Sequence, residues 1–521
     1  MASFKFSSFS NKANAMFITR ILARSSTQGP LLMRLQSTSS SAKPDPSSLP
    51  FLNLKRVGVV SLAAGAGVIA YKEFAPGDKP APAISASKTA GRSSSTDSLP
   101  KLDVAAGYPF DFLTPPSPTQ VTAALNETTW SVSIPASVGT GGVSSYAGSR
   151  VPANIPTEDA YIHGSFPSPS SQPIPWLAWG VFDGHLGGQT SNALTKHLLP
   201  YVHRHLAGIT AAQSEDAGDN PDAAIHRTLK AAFNELDDAF ISPAQQTLDS
   251  DDLPLADKVS RITTGSNGSC ALLSLWDPSS RKLHVACTGD SRAVMGVQTP
   301  EGTWQTVALS VDQGGDNPLE EARVYAAHPG EEGLVKGKRV LGLATARAFG
   351  DGHWKWPLAL QAELRRRFVA DTLRQIDPKI YKTPPYITAE PEVTTTAVPE
   401  SQKAFMIMAS DGLWDTMTSE QAVDLVARWL VWSKAGKPAP EPVDQKKFGK
   451  FDFVSYYSGP EGYKVVKDDN ITVQDENVAV HLTRNALGGA NQDMVSAMLS
   501  LKPPYSRWVR DDITIQVVFF N

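Results

Sequence analysis

Apolar and polar positions follow two different rhythms along this chain, beginning near residue 110. Six short apolar runs end in turn-forming residues and predict β-strands. These runs are 176–182, 271–276, 282–288, 293–298, 404–409 and 513–520, and a seventh at 304–309 follows 293–298 closely. Short connections join 271–276 to 282–288 and 293–298 to 304–309, which requires antiparallel pairing because a parallel crossover takes a dozen or more residues.

Helical periodicity lies between these runs. Residues 191–209 and 221–240 have apolar positions spaced for one face of a helix. A third helix is predicted at 418–433, where Thr-Ser-Glu-Gln forms a capping box and the apolar side chains that follow share one face. Antiparallel strands covered by helices predict an α+β fold rather than a doubly wound parallel sheet. Two charged and aromatic stretches, 353–385 and 434–474, are predicted to be surface insertions.

Composition narrows the class of protein. The chain has 521 residues, 41% of them hydrophobic, which is enough for a large buried core. A formal net charge of −4 gives no reason to expect a nucleic-acid partner. The two cysteines, Cys270 and Cys287, lie within apolar runs, so we interpret them as buried side chains in a reducing compartment and not as a disulfide.

The first hundred residues differ in composition from the rest. Residues 1–44 contain six Lys or Arg and no acidic residue, which is typical of a mitochondrial presequence, the alternative being a disordered basic tail. Residues 57–71 are uncharged but shorter than the ~20 apolar residues of a usual spanning helix, so a membrane anchor or sorting segment and an ordinary helix both fit. Residues 73–103 are rich in Pro, Ala and Ser and predict a disordered linker. The folded domain is predicted at 108–521.

Seven motifs centred on carboxylates carry the candidate chemistry. They are PTED (156–159), VFDGHLGG (181–188), TGDSR (288–292), NPLEEARV (317–324), LATARAFGD (343–351), ASDGLWD (409–415) and RDDITI (510–515). Several place Asp against Gly at the end of a predicted strand, where oxygen ligands can gather around a hard cation such as Mg²⁺ or Mn²⁺.

Each such Asp, taken singly, is more often a turn former or a helix cap than a metal ligand. The repetition favours the metal site, because turn formers need not all be Asp. The sequence has no His or Cys pair with zinc spacing, no P-loop and no GxSxG elbow. It also lacks the twelve-residue calcium loop of an EF-hand, so a calcium-binding structural module is disfavoured.

In this order the motifs closely resemble those of the metal-dependent type 2C protein serine/threonine phosphatases. The resemblance covers about residues 114–521. It implies a four-layer sandwich of two antiparallel β-sheets flanked by helices. It also implies hydrolysis of phosphoserine and phosphothreonine in proteins by a hydroxide that bridges two divalent cations, Mg²⁺ or Mn²⁺, with a weaker third cation site.

The resemblance also implies roles for individual residues. Asp183 would bridge the two catalytic cations, Gly184 would offer its carbonyl, and His185 would be the general acid. The other implied metal ligands are Glu158 on one side, Asp411 and Asp511 on the other, and Asp290 and Asp415, which with Asp411 would form the weaker site.

Asn154 departs from most of that family, which has a phosphate-binding Arg at this position. Asn offers only neutral hydrogen bonds to the substrate phosphate, so recognition must rest more on the metals or on another cation. The same substitution occurs in the mitochondrial pyruvate dehydrogenase phosphatase branch, which the chain also resembles at ANIPTED and ENVAVHLTRNALGG.

That branch implies a mitochondrial enzyme, in the matrix or the intermembrane space, that associates with the inner membrane if residues 57–71 anchor it. Its implied substrate is the E1α subunit of the pyruvate dehydrogenase complex. The alternatives are a mitochondrial phosphatase for other phosphoproteins and a catalytically silent relative that binds phosphoproteins. Loss of metal carboxylates would mark the silent relative, and here those positions are retained.

Overall fold

The computed structural model describes residues 116–135, 138–169, 173–209, 221–368, 376–453 and 466–520. The strands within these ranges are β1 Thr129–Ser133, β2 Val143–Val151, β3 Ala160–Phe166, β4 Trp176–Phe182, β5 Gly184–His185, β6 Gly268–Ser269, β7 Ala271–Asp277, β8 Lys282–Thr288, β9 Arg292–Gln298, β10 Trp304–Ala308, β11 Val335–Lys336, β12 Arg339–Val340, β13 Phe349–Gly350, β14 Glu392–Ala397, β15 Ala404–Ala409 and β16 Ile513–Phe520.

The α-helices within the same ranges are α1 Pro118–Leu125, α2 Gln189–Ala207, α3 Pro221–Ile241, α4 Pro243–Asp249, α5 Leu255–Ser266, α6 Pro318–Ala327, α7 Gly352–Lys355, α8 Leu358–Arg367, α9 Asp411–Trp414, α10 Ser419–Lys434, α11 Val478–Ala486 and α12 Gln492–Ser500. Short 3₁₀ helices lie at Gln445–Phe448, Asp468–Asn470 and Tyr505–Trp508.

Two antiparallel sheets form the centre of the fold. Sheet A has six strands in the order β1-β2-β16-β15-β9-β10, and sheet B has five in the order β14-β8-β7-β4-β3. Smaller pairings join β13, β6 and β5, and β11 with β12. The hairpins β7–β8 and β9–β10 are antiparallel, which confirms the pairing predicted from their short connections.

Each central strand has both faces covered. In β15, Phe405 and Ile407 pack with the helices outside sheet A, whereas Met406 and Met408 pack between the two sheets. This period of two follows from the alternation of side chains along a strand. Because neither face meets water, β15 has a continuous apolar sequence instead of an alternating one.

Helices form the two outer layers. The core outside sheet A includes α10, α11 and α12, and the core outside sheet B includes α2 and α3. Helix α10 begins after Thr418, whose hydroxyl accepts from the Gln421 N–H at 3.2 Å while the Gln421 side chain accepts from the Thr418 N–H at 3.0 Å. The capping box and the four-layer α+β sandwich are therefore both confirmed.

The surface insertion predicted at 353–385 is wrong over much of its length. Trp354, Trp356 and Tyr381 are all less than 10% exposed and belong to packed apolar clusters. Aromatic side chains in this stretch therefore stabilise the domain. The sequence prediction missed this because it relied on the high charge content of the stretch. The described part of 434–474 agrees better with the prediction, because residues 435–444 are exposed.

The predicted presequence, the 57–71 segment and the 73–103 linker all lie outside the described residues, as does the predicted domain start at 108. Among the helices of the described ranges, none combines the length and the apolar character needed to cross a membrane.

The topology gathers strand ends at one edge of the sandwich. In an antiparallel sheet the end of one strand lies beside the start of its neighbour. The register pairs Ala160 with Phe182 in sheet B and Ala409 with Ile515 in sheet A. Both sheets therefore deliver their flanking Asp and Glu residues to the same edge.

Candidate metal centre

Three aspartates from three strand ends meet at this edge. Asp183 follows β4, Asp290 follows β8, and Asp411 follows β15 at the start of α9. One carboxylate oxygen from each lies within 4.8 Å of the others, close enough for all three to ligate one cation. The structure thus brings together three of the metal ligands predicted from the sequence.

Burial and like charge shape the protonation of this group. Burial, followed by the charge of Asp411, raises the pKa of Asp183 well above its ordinary value. Burial, followed by the charge of Asp290, raises the pKa of Asp411 to about 6, and burial also raises the pKa of Asp290. Carboxylates of like charge that are desolvated together favour the uptake of either protons or cations.

The local geometry fits a divalent cation. Asp411 Oδ1 is buried and has no hydrogen-bond partner. A buried oxygen of this kind is unfavourable unless a cation or a hydrogen-bond donor contacts it. The donor set is all oxygen, as Mg²⁺ and Mn²⁺ prefer. The residue after Asp183 must be glycine, because a Cβ at Gly184 would lie 2.3 Å from the Glu158 carbonyl oxygen.

Glu158 lies beside this cluster, just before β3. Its Oε2 accepts from Asn154 Nδ2 at 2.9 Å. Burial raises the pKa of Glu158, although the N–H of Gly187 and the charge of Arg507 oppose that rise. Asn154 Nδ2 also lies 3.4 Å from Asp512 Oδ2, so both N–H groups of its amide face carboxylates. Asn154 therefore positions Glu158 in this structure, and its predicted contact with the substrate phosphate stays a prediction.

Asp512 holds the loop that carries Glu158. It is 2% exposed, and its carboxylate accepts from the backbone N–H groups of Asn154 at 3.0 Å and Glu158 at 2.9 Å. The Ala153 N–H and the Thr157 hydroxyl donate to the same carboxylate. A buried carboxylate satisfied by several N–H donors fixes a loop without needing a cation. Asp512 therefore has a structural task, in contrast to the neighbouring Asp511.

Asp511 and Asp415, two further predicted ligands, are not members of the three-aspartate group. Asp511 forms an ion pair with Arg507, its neighbour four residues earlier. Asp415 is exposed at the end of α9, where its N–H donates to the Asp411 carbonyl at 2.8 Å. Their assignment as metal ligands stays a prediction.

His185, the predicted general acid, is paired with a buried aspartate. Its Nε2 lies 2.7 Å from Asp351 Oδ2, and Asp351 is fully buried with a positive φ of 53°. Burial alone would lower the pKa of His185, but the charge and hydrogen bond of Asp351 outweigh burial and raise it. Gly268 makes room for the pair, because a Cβ there would lie 2.0 Å from His185 Nε2.

Three residues beside the site had no role in the sequence predictions: Asp351, Asp512 and Arg507. Asp351 ends LATARAFGD and Asp512 lies in RDDITI, so the sequence indicated both motifs. It did not indicate which residues Asp351 and Asp512 contact. Conversely, Glu320 of NPLEEARV does not join the metal ligands. It pairs with Arg347 at 2.6 Å and Arg323 at 2.8 Å, so this motif stabilises the fold instead.

Comparison with known proteins identifies clear relatives. The family model described as protein phosphatase 2C matches residues 148–446. A protein phosphatase 2C homologue of Schizosaccharomyces pombe is 38% identical over 381 residues, covering 73% of this chain and 81% of the relative. The mitochondrial pyruvate dehydrogenase (acetyl-transferring) phosphatase 1 of Saccharomyces cerevisiae is 34% identical, covering 73% of this chain and 69% of the relative.

The human mitochondrial pyruvate dehydrogenase phosphatase 1 is 30% identical over 475 residues, covering 79% of this chain and 83% of the relative. Among solved structures, the serine-threonine phosphatase 2C of Toxoplasma gondii aligns over 76% of this chain and 99% of its own, with 18% identity and a TM-score of 0.42.

Proposed function

Because this chain belongs to the protein phosphatase 2C family and is a protein serine/threonine phosphatase, we propose that it is a metal-dependent mitochondrial enzyme acting on the pyruvate dehydrogenase complex. The proposal has three parts: the dependence on divalent cations, the substrate and the compartment.

The grouping of Asp183, Asp290 and Asp411 within 4.8 Å carries the first part. Mg²⁺ or Mn²⁺ would be held by these carboxylates together with the Gly184 carbonyl, Glu158 and Asp511. When bound, such cations lower the pKa of water and offset charge on the phosphoryl oxygens. The retained and clustered carboxylates disfavour a catalytically silent phosphoprotein-binding relative.

His185 supplies the proton that the leaving serine or threonine oxygen needs. A carboxylate can only accept, so His185 Nε2–H donates to Asp351 and fixes the orientation of the ring. The remaining ring nitrogen, Nδ1, then carries the transferable proton, and the charge and hydrogen bond of Asp351, which raise the pKa of His185, favour the protonated ring. In this proposal water is the nucleophile, so no covalent phosphoenzyme is needed.

The substrate proposal rests on the relatives. Two of them are named for the phosphatase reaction on pyruvate dehydrogenase, and both names place them in mitochondria. We therefore assign the phosphorylated E1α subunit as the substrate. The exposed residues 435–444 offer surface for a folded protein partner, so an intact subunit should be a better substrate than a short peptide.

A kinetic comparison tests cation dependence and substrate together. We would measure kcat/KM on phosphorylated E1α and on a phosphopeptide of the same site, with and without Mg²⁺ or Mn²⁺. We expect no turnover after EDTA, recovery on adding either cation, and faster hydrolysis of the intact subunit. Equal rates on peptide and subunit, or turnover of another mitochondrial phosphoprotein in preference to E1α, would refute the substrate assignment.

A reporter fusion tests the compartment. Residues 1–44 fused to a fluorescent protein should direct it to mitochondria, since they are basic and free of acids. Carbonate extraction of the full chain would then show whether residues 57–71 anchor it. A reporter that stays in the cytosol would contradict the presequence assignment.

A further inference from the structure

The substrate phosphate needs a cationic donor at the candidate metal centre, and the described residues beside the three aspartates offer candidates for it. A phosphate ester is anionic, and charge-assisted donors bind it far better than neutral ones. Asn154 offers no substitute, because its amide N–H groups already face Glu158 and Asp512. The donor should therefore be another side chain beside the three aspartates.

Two arginines lie three residues apart just before β16, and they differ in surroundings. Arg510 is largely buried, and it donates to the backbone carbonyls of Pro152 at 2.5 Å and Met498 at 3.2 Å. Its guanidinium therefore stabilises the loops around it. Arg507 instead has a side chain that is 41% exposed and contacts Asp511. Of these two arginines, Arg507 is the one that solvent and a substrate can reach.

Arg507 is fixed next to the site by its own turn. It lies in the 3₁₀ helix Tyr505–Trp508, where the Ser506 hydroxyl donates to the Ala153 carbonyl. Ala153 precedes Asn154, so this turn is attached to the loop that carries Glu158. Arg507 and Asp511 also line a cleft of about 150 Å³ that extends to Gly412 and Asp415 on the α9 side.

The charge of Arg507 acts on both sides of the metal centre. It lowers the pKa of Glu158, before β3, and of Asp411, after β15, against the larger effect of burial. A guanidinium has five N–H donors in a planar fork, and one carboxylate occupies at most two of them. The pairing with Asp511 therefore leaves donors available to a second anion.

We propose that Arg507 binds the phosphoryl group of the substrate and takes the place of the arginine that is absent at position 154. This inference deepens the proposed function and rests on it. Asp511 orients the guanidinium through the i,i+4 ion pair, and the cleft that Arg507 lines together with Asp415 and Asp511 has room for a tetrahedral oxyanion. The ligand class is a phosphate monoester on a protein, with inorganic phosphate as the product that shares its chemistry.

The test uses Arg507→Gln in the full chain, with Arg507→Lys as the charge-preserving variant. Arg428→Gln is the matched control, because Arg428 also forms an i,i+4 pair with an aspartate, Asp424, and is 50% exposed. Each protein is saturated with Mg²⁺. Inorganic phosphate binding is measured by calorimetry, and KM and kcat are measured on a phosphoprotein.

We expect Arg507→Gln to weaken phosphate binding and raise KM by about 10- to 100-fold, the range of a charge-assisted hydrogen bond. Arg507→Lys should lose less, and Arg428→Gln should match the wild type. Wild-type phosphate affinity in Arg507→Gln would overturn the proposal.

The Mg²⁺ midpoint, read from thermal stabilisation, separates a direct role from one exerted through Asp511. It should change little in Arg507→Gln, and a change as large as that in phosphate affinity would also overturn the proposal. An inactive wild type that still binds phosphate through Arg507 would instead count against the proposed function alone.

Discussion

Two regions of this molecule withdraw carboxylates from water, and the carboxylate pKa values shift in opposite directions in the two regions. At the metal centre, Asp183, Asp290 and Asp411 lie together, and burial raises the pKa of each, although the charges of His185 and Arg507 oppose that rise at Asp290 and Asp411. About Glu320, burial alone would raise the pKa, but Arg347 and Arg323 outweigh it and lower the pKa.

The difference separates a binding site from a structural support. A buried carboxylate with its own arginine is already neutralised, so it has no use for a metal, and losing it would leave the arginine as an uncompensated buried charge. Desolvated carboxylates that share one region repel each other and destabilise the metal-free protein, and a divalent cation relieves that repulsion. Four tests follow from this contrast.

The largest effect is expected from Asp183→Asn. Removing the central carboxylate should lower phosphatase activity by about 10³-fold or more, as expected for loss of a group that stabilises transition-state charge. The metal-free variant should melt no lower than the wild type, because the change removes like-charge repulsion at nearly constant volume. Hydrolysis assays and thermal melts with and without Mn²⁺ measure both.

Asp316→Asn is the control for Asp183→Asn, since Asp316 is a half-exposed surface residue paired with Lys338. It should retain full activity. Wild-type turnover by Asp183→Asn, or undiminished stabilisation of that variant by Mn²⁺, would contradict the metal centre.

Glu320→Gln tests the other region. It leaves the 5%-exposed side chain of Arg347 with only part of its counter-charge, so the free energy of unfolding should fall by about 3 kcal/mol. The Mn²⁺ affinity should not change. Urea unfolding measures the free energy of unfolding, and Mn²⁺ titration measures the metal affinity. A fall in metal affinity in Glu320→Gln would show that the two regions are not independent.

The pH dependence of the metal-free protein should differ in sign between the regions. Asp411 has a pKa raised from 3.8 to about 6. Its contribution to stability is therefore present below about pH 4 and is lost as the pH rises through 6. Glu320, with a lowered pKa, contributes stability above about pH 4.5 that is lost as the pH falls through its folded pKa.

Urea unfolding in EDTA from pH 4 to 7 measures this difference. Over this range the wild type should lose on the order of 1–3 kcal/mol of unfolding free energy through the ionisation of Asp411. Asp411→Asn should not show this loss. An identical pH profile for the variant and the wild type would mean that Asp411 is already neutralised by a partner.

The smallest effect is expected from Asp351→Asn. Asp351 is intermediate between the two regions, because Oδ2 contacts His185 whereas Oδ1 is buried without a partner. Asn tolerates the positive φ found here, so the backbone should hold. We expect kcat to fall on the order of 10-fold with KM and Mn²⁺ affinity unchanged. A change in KM without a change in kcat would argue against positioning of His185.

Much of the fold could be predicted from local sequence. The strand at Trp176–Phe182 and the capping box at Thr418 follow from side-chain periodicity and from neighbours along the chain, so both were correct. The buried aromatic residues Trp354 and Trp356 were missed because Lys355 lies between them and a charged helix follows. Their burial depends on surfaces contributed by distant segments, and no local pattern records those.

The candidate site divides in the same way. The sequence indicated which carboxylates lie at strand ends, because Asp next to Gly after an apolar run is a local pattern. It could not indicate partners such as Asp351 for His185, 166 residues away, or Asp512 for Asn154, 358 residues away. Those pairs exist only because two sheets stack and place their strand ends at one edge.

By itself, then, the sequence determined the antiparallel strands, the helices that cover them and the set of acidic residues available at strand ends. Only the tertiary structure decided that Glu320 would meet an arginine and Asp183 would meet other aspartates. The physical reason is that secondary structure depends on short-range periodicity, whereas the charge state of a buried carboxylate depends on which groups surround it in three dimensions.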